Sequence, residues 1–170
     1  MTEARQTKAT PVAALAGNPN VGKSTIFNAL TGMRQHTGNW PGKTVALAQG
    51  MCSYKGEELR LVDLPGTYAL VSKSQEETLA ADFISGGEAD CVIAVCDATS
   101  LERSLILALQ VMELTDRVFV CVNLMDEAQK QGIEIDLAAL SFELGVPVVA
   151  ASASREEGMG ELLEQLRRIL

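Results

Sequence analysis

The amino-acid sequence predicts a three-layer α/β domain, with a mostly parallel sheet that carries one antiparallel edge strand and is covered by helices on both faces. Short apolar runs alternate with helical patterns along the chain, which is typical of strand–helix–strand units. The run at 91–96 is apolar throughout, as expected for a strand buried on both faces. Runs at 44–54 and 59–62 are joined by a turn too short for a crossover, so they should pair antiparallel.

The first elements are a strand, a helix and a loop. Residues 1–10 are polar and predict a disordered tail ahead of a domain that covers 11–170. An apolar run at 12–16 predicts the first strand, and residues 24–30, closed by a glycine, predict the first helix. Residues 33–43 have no hydrophobic period and contain glycine and proline, so we predict a loop.

The alternation continues to the C-terminus. Residues 63–73 are predicted as a loop, and Ser74 and Glu77 have the spacing of a capping box that begins a helix. Further strands are predicted at 91–96, 118–122 and 146–150, and further helices at 101–112, 137–144 and 162–170. One helical stripe is predicted to face the core, namely Leu101, Leu105, Ala108, Leu109 and Met112.

Composition excludes several classes of protein. A chain of 170 residues that is 47% hydrophobic can bury a core without disulfides or metal. The 4 cysteines form no CxxC pair, so we expect buried, reduced thiols. A net charge of −8 argues against binding to nucleic acid, which needs clustered Lys and Arg. No apolar run is long enough to cross a bilayer, so this chain is not expected to span a membrane.

The segment GNPNVGKS at 17–24 matches the phosphate-loop pattern GxxxxGK[ST] and lies between a predicted strand and a predicted helix. Its glycines let backbone amides wrap a phosphate, and the helix N-terminus adds positive potential. Lys23 is expected to reach the β- and γ-phosphates and Ser24 to bind Mg²⁺. The pattern therefore predicts a P-loop NTPase fold. The predicted nucleotide-binding residues here are Gly17, Asn18, Pro19, Asn20, Val21, Gly22, Lys23, Ser24 and Thr25.

Two further segments resemble nucleotide switches. The sequence DLPG at 63–66 matches DxxG, so Asp63 is expected to hold Mg²⁺ through water and the Gly66 amide to meet the γ-phosphate. Thr44, at the end of the 33–43 loop, is expected to complete the Mg²⁺ shell, although Thr31 and Thr37 are alternatives. The other residues of these segments predicted to contact the nucleotide are Gly42, Lys43, Leu64 and Pro65.

The identity of the nucleotide base is predicted from the sequence Asn123-Leu124-Met125-Asp126, which lies at the end of a predicted buried strand. The Asp126 carboxylate can accept N1–H and N2–H₂ of guanine, whereas adenine lacks the second donor and would leave the carboxylate unpaired. Asn123 is expected to bind the base and to connect to the phosphate loop. Leu124 stands where the usual pattern has Lys, which predicts weaker affinity and faster exchange.

A third base-recognition segment is less distinctive. Ser152-Ala153-Ser154 follows the last predicted strand and has the form of the fifth guanine motif, in which a backbone amide meets the base O6. An ordinary polar loop is an equally good interpretation of these three residues.

The switch sequences indicate a family. The segments HTGNWPGKTV at 36–45, DLPGTYAL at 63–70, DATSLER at 97–103 and NLMDEA at 123–128 resemble those of ferrous iron transport proteins of the FeoB family, within the translation-factor-like GTPases. The resemblance implies Mg²⁺-dependent GTP hydrolysis by a cytoplasmic domain of a ferrous iron transporter in the bacterial inner membrane. It also implies downstream helical and transmembrane domains as partners.

The catalytic machinery departs from that of many GTPases. Thr67 occupies the place of the Gln that orients water and is too short for that role, and no Arg lies between 35 and 59. In GTPases that this chain resembles, an Asn at the place of Asn20 helps bind K⁺, which substitutes for an arginine. The expected catalytic residues are thus Lys23, Asn20, Thr44 and Gly66, with slow turnover in isolation.

Three alternative functions stay open at this point. The chain could be a stand-alone GTPase of ribosome or tRNA maturation, against which its acidity counts. It could be a nucleotide-dependent binding switch with negligible turnover, since the Gln is missing. A kinase or ATPase on the same fold is disfavoured by Asp126.

Overall fold

The computed structural model describes residues 9–32, 35–39, 42, 45–71 and 73–170. Within these residues the chain forms a seven-stranded sheet in the order β2-β3-β4-β1-β5-β6-β7. The strands are β1 Val12–Gly17, β2 Gln35–Asn39, β3 Ala46–Tyr54, β4 Glu57–Asp63, β5 Cys91–Asp97, β6 Val118–Asn123 and β7 Val148–Ala150. The helices are α1 Lys23–Thr31, α2 Gln75–Ser85, α3 Leu101–Leu114, α4 Met125–Lys130, α5 Leu137–Leu144 and α6 Met159–Ile169.

The sheet is mostly parallel, which confirms the predicted fold class. β4, β1, β5, β6 and β7 run parallel, and β3 pairs antiparallel with β4. The predicted loop at 33–43 is wrong in its centre, because 35–39 form β2, which pairs antiparallel with β3. This strand has no apolar alternation, and His36, Thr37 and Asn39 are exposed. Its pairing therefore depends on backbone hydrogen bonds, which hydrophobic periodicity does not reveal.

The sheet separates two hydrophobic cores. One core packs α2, α3 and α5 against one face, and the other packs α1 and α6 against the opposite face. Alternate residues of β5 enter different cores, with Val92 and Ala94 on one side and Ile93 and Val95 on the other. Burial on both faces explains why this strand is apolar from Cys91 to Cys96.

Helix α3 packs largely as predicted, because Ala108 is buried and Leu101, Leu105 and Met112 are half-buried against the same core; the exception is Leu109. Leu109 is 48% exposed, whereas Leu107 and Val111 are buried. The buried face also includes Ser104, whose Oγ accepts a hydrogen bond of 3.1 Å from the Asp97 amide. Leu109 is therefore the one residue of the predicted stripe that lies outside the packed face, and Leu107 takes a buried place that the stripe did not include.

Helix α2 begins at the predicted Ser74, whose Oγ accepts from the Glu77 amide at 3.1 Å. The Glu77 carboxylate accepts from the Lys73 amide at 2.9 Å, one residue before the position that a capping box uses. Helix α5 spans 137–144 as predicted and ends at Gly145 with φ 70°.

The cysteines are buried and free, as predicted, and burial raises the pKa of the Cys91, Cys96 and Cys121 thiols to about 12. Among the described residues, no helix is long and apolar enough to cross a membrane. The predicted polar tail at 1–10 lies outside the described residues except for Ala9 and Thr10.

Candidate nucleotide-binding site

The predicted motifs meet at one edge of the sheet. The phosphate loop follows β1, the DxxG segment begins at the end of β4, the NLMD segment follows β6, and Ser152 comes shortly after β7. These four strands are parallel, so their carboxyl ends lie at the same edge. Ligands of open α/β sheets bind in the crevice at this edge.

Two glycines of the phosphate loop are required by close packing. A Cβ on Gly17 would lie 2.7 Å from the Val95 carbonyl oxygen. Gly22 has φ 91°, and a Cβ there would collide with the side-chain amide of Asn123. Helix α1 begins directly after Gly22 without a side-chain cap, so its first amides are available to an anion.

Lys23, Ser24 and Asp63 converge beside the phosphate loop. Lys23 Nζ lies 3.5 Å from Asp63 Oδ1, and Ser24 Oγ donates to Asp63 Oδ2 at 3.2 Å. Burial raises the pKa of the Asp63 carboxyl, and the Lys23 charge and the Ser24 hydrogen bond partly oppose this increase. Asp63 Oδ1 is buried without a hydrogen-bond partner in the described part of the chain. A hydroxyl and an underused carboxylate form the oxygen donor set that suits Mg²⁺.

The DxxG segment lies against the phosphate loop. The Leu64 amide donates to the Leu15 carbonyl at 3.1 Å, which extends the pairing of β4 with β1. The Thr67 amide donates to the Gly17 carbonyl at 3.2 Å, and Thr67 is 6% exposed. A Cβ on Gly66 would lie 3.1 Å from Pro19 Cα, so a side chain here would need Pro19 to shift by a few tenths of an ångström.

Asn123 connects the phosphate loop to the segment after β7. Its Nδ2 donates to the Val21 carbonyl at 3.0 Å, and its Oδ1 accepts from the Ala153 amide at 3.0 Å. The side chain is almost fully buried. The predicted connection to the phosphate loop is present, and Nδ2 keeps a second proton that a base could accept.

Asp126 is the buried carboxylate of the base region. Its amide donates to Ser152 Oγ at 3.1 Å, and its Oδ2 lies 3.4 Å from Arg155 Nε. Its Oδ1 is buried and has no hydrogen-bond partner among the residues the structure describes. Leu124, just before it, has φ 64°, a left-handed conformation that is uncommon for a branched residue. Arg155 was not among the predicted residues, although it directly follows Ser154 in the sequence.

The other predicted residues occupy varied positions. Asn18 is buried, and its Oδ1 has no hydrogen-bond partner in the described ranges. Asn20 is exposed with φ 66°, and Gly42 is exposed with φ 77°. Thr44 and Lys43 lie outside the described residues. The remaining predicted residues are Pro19, Pro65 and Met125, which are half-buried, Val21, Leu64 and Ala153, which are buried, and Thr25 and Ser154, which are exposed.

The chain was compared with known families and proteins. The family model described as "Ferrous iron transport protein B" matches residues 11–166. The Fe(2+) transporter FeoB of Escherichia coli strain K12 is 46% identical over 152 residues, which is 87% of this chain and 20% of that protein. The chain thus spans about a fifth of the length of the curated relatives it matches.

Solved structures of the same family share the fold. The G domain of the T. maritima FeoB iron transporter is 44% identical with a TM-score of 0.87, covering 94% of this chain and 98% of that one. The T. maritima cytosolic domain in its GMPPNP form is 45% identical with a TM-score of 0.89, covering 94% of this chain and 63% of that one. Together with the shared fold and the geometry of the site, these matches show that the chain is a GTP-binding G domain and belongs to the ferrous iron transport protein B family.

Proposed function

We propose that this domain hydrolyses GTP with Mg²⁺ and is stimulated by K⁺. The observation that carries the nucleotide recognition in this proposal is the Asn123 side chain, which contacts the phosphate loop with its Nδ2 and the Ala153 amide with its Oδ1. The phosphate and base subsites are therefore held at a set spacing, as recognition of one nucleotide requires. Asp126, whose buried Oδ1 has no hydrogen-bond partner among the described residues, selects guanine because the N1–H and N2–H₂ donors satisfy the carboxylate.

The phosphates bind to the loop at 17–24. Backbone amides at the start of α1 and the buried Lys23 ammonium offset the phosphate charge. Ser24, Asp63 and Thr44 would hold Mg²⁺, which would neutralise phosphate charge when bound. The contacts that Lys23 and Ser24 now make with Asp63 would be given up to the nucleotide and the metal. The Leu64, Pro65 and Gly66 segment then faces the γ-phosphate, with the Gly66 amide as donor.

Hydrolysis joins a water oxygen to the γ-phosphorus and breaks the bond from that phosphorus to the bridging oxygen, releasing GDP and phosphate. Charge develops on the bridging oxygen as this bond breaks, and Lys23 stabilises it from the phosphate loop. Thr67 is buried and its amide is bound to Gly17, so it is poorly placed to orient the water. Turnover by the isolated domain should therefore be slow.

Asn20 is the proposed K⁺ ligand. It is exposed on the phosphate loop, and none of its side-chain atoms forms a hydrogen bond that ties the loop together within the described residues. This arrangement favours a ligand role over a purely structural one, because the carbonyl oxygen stays available. K⁺ bound there would supply the positive charge that an arginine provides in other GTPases.

The test is GTP turnover with Mg²⁺ in KCl and in NaCl at matched ionic strength. We expect faster turnover in KCl, and we expect Asn20→Ala to remove that difference while leaving GTP binding mostly intact. Gln131→Ala, which removes an exposed amide outside the predicted nucleotide-binding segments, should keep the K⁺ response. An Asn20→Ala variant that still responds to K⁺ would refute the assignment of Asn20.

A second candidate function is a binding switch with negligible turnover. The burial of Thr67 favours this function, because a buried threonine cannot orient the attacking water as the Gln of other GTPases does. Equal and very slow turnover in both salts, with nucleotide binding intact, would select this function over catalysis by the domain alone.

We further propose that the domain is the cytoplasmic part of a ferrous iron transporter of the bacterial inner membrane. The support is family membership and a chain that spans 20% of its E. coli relative, so most of such a protein lies outside this domain. Its partners would be the helical and transmembrane domains of the same protein. Ferrous iron uptake by cells carrying the full-length protein, with and without Asp126→Asn, tests whether guanine binding here supports transport.

A further inference from the structure

Arg155 is an internal partner for the carboxylate that we propose recognises guanine. Arg155 Nε lies 3.4 Å from Asp126 Oδ2, and the Asp126 side chain is only 8% exposed. The second oxygen, Oδ1, is buried without a hydrogen-bond partner in the described part of the chain. A role for Arg155 at this place rests on the proposed binding of guanine by Asp126.

Arginine and guanine present the same chemistry to a carboxylate. A guanidinium offers N–H donors in a planar fork, and the N1–H and N2–H₂ edge of guanine offers a similar planar pair. Guanine would use both oxygens of Asp126, and Arg155 Nε already approaches Oδ2. The guanidinium and the base therefore compete at this oxygen.

Arg155 is held in a short turn next to the Asp126 carboxylate. It belongs to the 3₁₀ turn Ala153–Arg155, whose first residue donates a hydrogen bond of 3.0 Å from its amide to Asn123 Oδ1. The backbone of this turn is therefore fixed, and only the Arg155 side chain has to move when guanine binds.

Arg155 has another position to occupy once guanine arrives. Its side chain is 52% exposed, so it is not fixed by packing. It lines a pocket of about 340 Å³ that is also lined by Glu134 and Glu157. A displaced guanidinium can turn to water or to these two groups, so its release leaves no buried, unpaired charge.

We propose that Arg155 occupies Asp126 in the nucleotide-free chain and leaves when guanine binds, so that it lowers the affinity for guanine nucleotides. A competing closed state reduces apparent affinity by the fraction of molecules that are open. The closed state here is the one in which Arg155 contacts Asp126. An ion pair with one exposed partner is weak, so this state should reduce the affinity for guanine nucleotides by about two- to sixfold. Arg155 thus sets affinity through Asp126 and does not itself bind the base.

The test is stopped-flow binding of a fluorescent GDP to the wild-type chain and to Arg155→Ala. We expect Arg155→Ala to lower the dissociation constant by about two- to sixfold, through faster association and a nearly unchanged dissociation rate. Arg155→Lys, which keeps the charge but loses the planar fork, should fall between them. Arg168→Ala removes an equally charged, exposed residue of α6 and should match the wild type.

Salt separates competition from a structural effect. The Arg155–Asp126 pair is screened by salt, so the difference between wild type and Arg155→Ala should shrink as NaCl is raised. A dissociation constant that is unchanged or higher in Arg155→Ala overturns the proposal. So does a gain in affinity that is the same at every salt concentration, or one that arises only from slower dissociation.

Asp126→Ala keeps this test distinct from the proposed function. If Asp126→Ala leaves GDP binding unchanged, the proposed base site itself is wrong. If Asp126→Ala weakens binding but Arg155→Ala does not strengthen it, the base site stands and only the role of Arg155 fails. Thermal melts of each variant without nucleotide establish that the compared proteins are folded.

Discussion

Replacing Asn123 by alanine should destabilise the domain even without nucleotide. The Asn123 side chain satisfies two backbone groups that are far apart in sequence, the Val21 carbonyl and the Ala153 amide, each at 3.0 Å. Val21 and Ala153 are each 3% exposed, so water cannot readily replace the lost partner. A buried backbone group left unsatisfied costs about 1–3 kcal/mol, so Asn123→Ala should lose about 2–6 kcal/mol of unfolding free energy.

Urea unfolding of the nucleotide-free chain, monitored by circular dichroism, measures this loss. Gln129→Ala is the matched control, because it removes an exposed amide from α4 and should change stability by less than about 0.5 kcal/mol. A loss below about 1 kcal/mol for Asn123→Ala would refute the reasoning, since the two loops would then be held together by other contacts or reached by water.

Three further changes test the phosphate and base regions. Gly22→Ala should abolish GDP binding and lower the melting temperature, because its Cβ would collide with Asn123 at φ 91°; normal GDP titration would contradict this. Asp63→Asn should become more stable relative to wild type as pH rises above the usual Asp range, because a raised pKa in the folded chain makes ionisation of Asp63 costly. A stability difference that is constant with pH in nucleotide-free unfolding would contradict that cause. Leu124→Lys should slow GDP release in stopped-flow measurements, because the lysine stem can pack over the base; an unchanged or faster release rate would count against it.

The sequence could predict those elements of the fold in which the apolar side chains themselves indicate which positions are buried. β5 and β6 are buried on both faces, so their runs are apolar at every position and were predicted nearly to their ends. Helix α5 was predicted to the residue, since a periodic segment ends at a glycine that adopts φ 70°. In these elements local preference and tertiary burial require the same residues.

A strand held by backbone pairing, and the exact buried positions of a leucine-rich helix, were harder to predict. β2 has the polar sequence QHTGN, and nothing in its side chains distinguishes a strand from a loop. In α3 the buried Leu107 and the exposed Leu109 are chemically identical, so only the packing of the helix tells them apart.

The site shows the same limit. Its motifs could be located at strand ends from spacing alone, but the contact between Arg155 and Asp126 could not, because it joins two segments that only the fold brings together. The same is true of the contact between Asn123 and Val21, which are separated by 102 positions.

The pairing of β2, β3 and β4 places Asp63 in a continuous row of backbone across the sheet. Thr37 is aligned with Ala48, Ala48 with Asp63, and Asp63 with Leu15. A displacement of β2 would therefore pull on the strand that carries Asp63, the proposed Mg²⁺ ligand, through main-chain hydrogen bonds alone. This coupling should survive side-chain substitutions along β3, because they leave the main-chain hydrogen bonds in place. Ala48→Pro, which removes an amide hydrogen, would instead uncouple the two switch segments without changing the sequence of either.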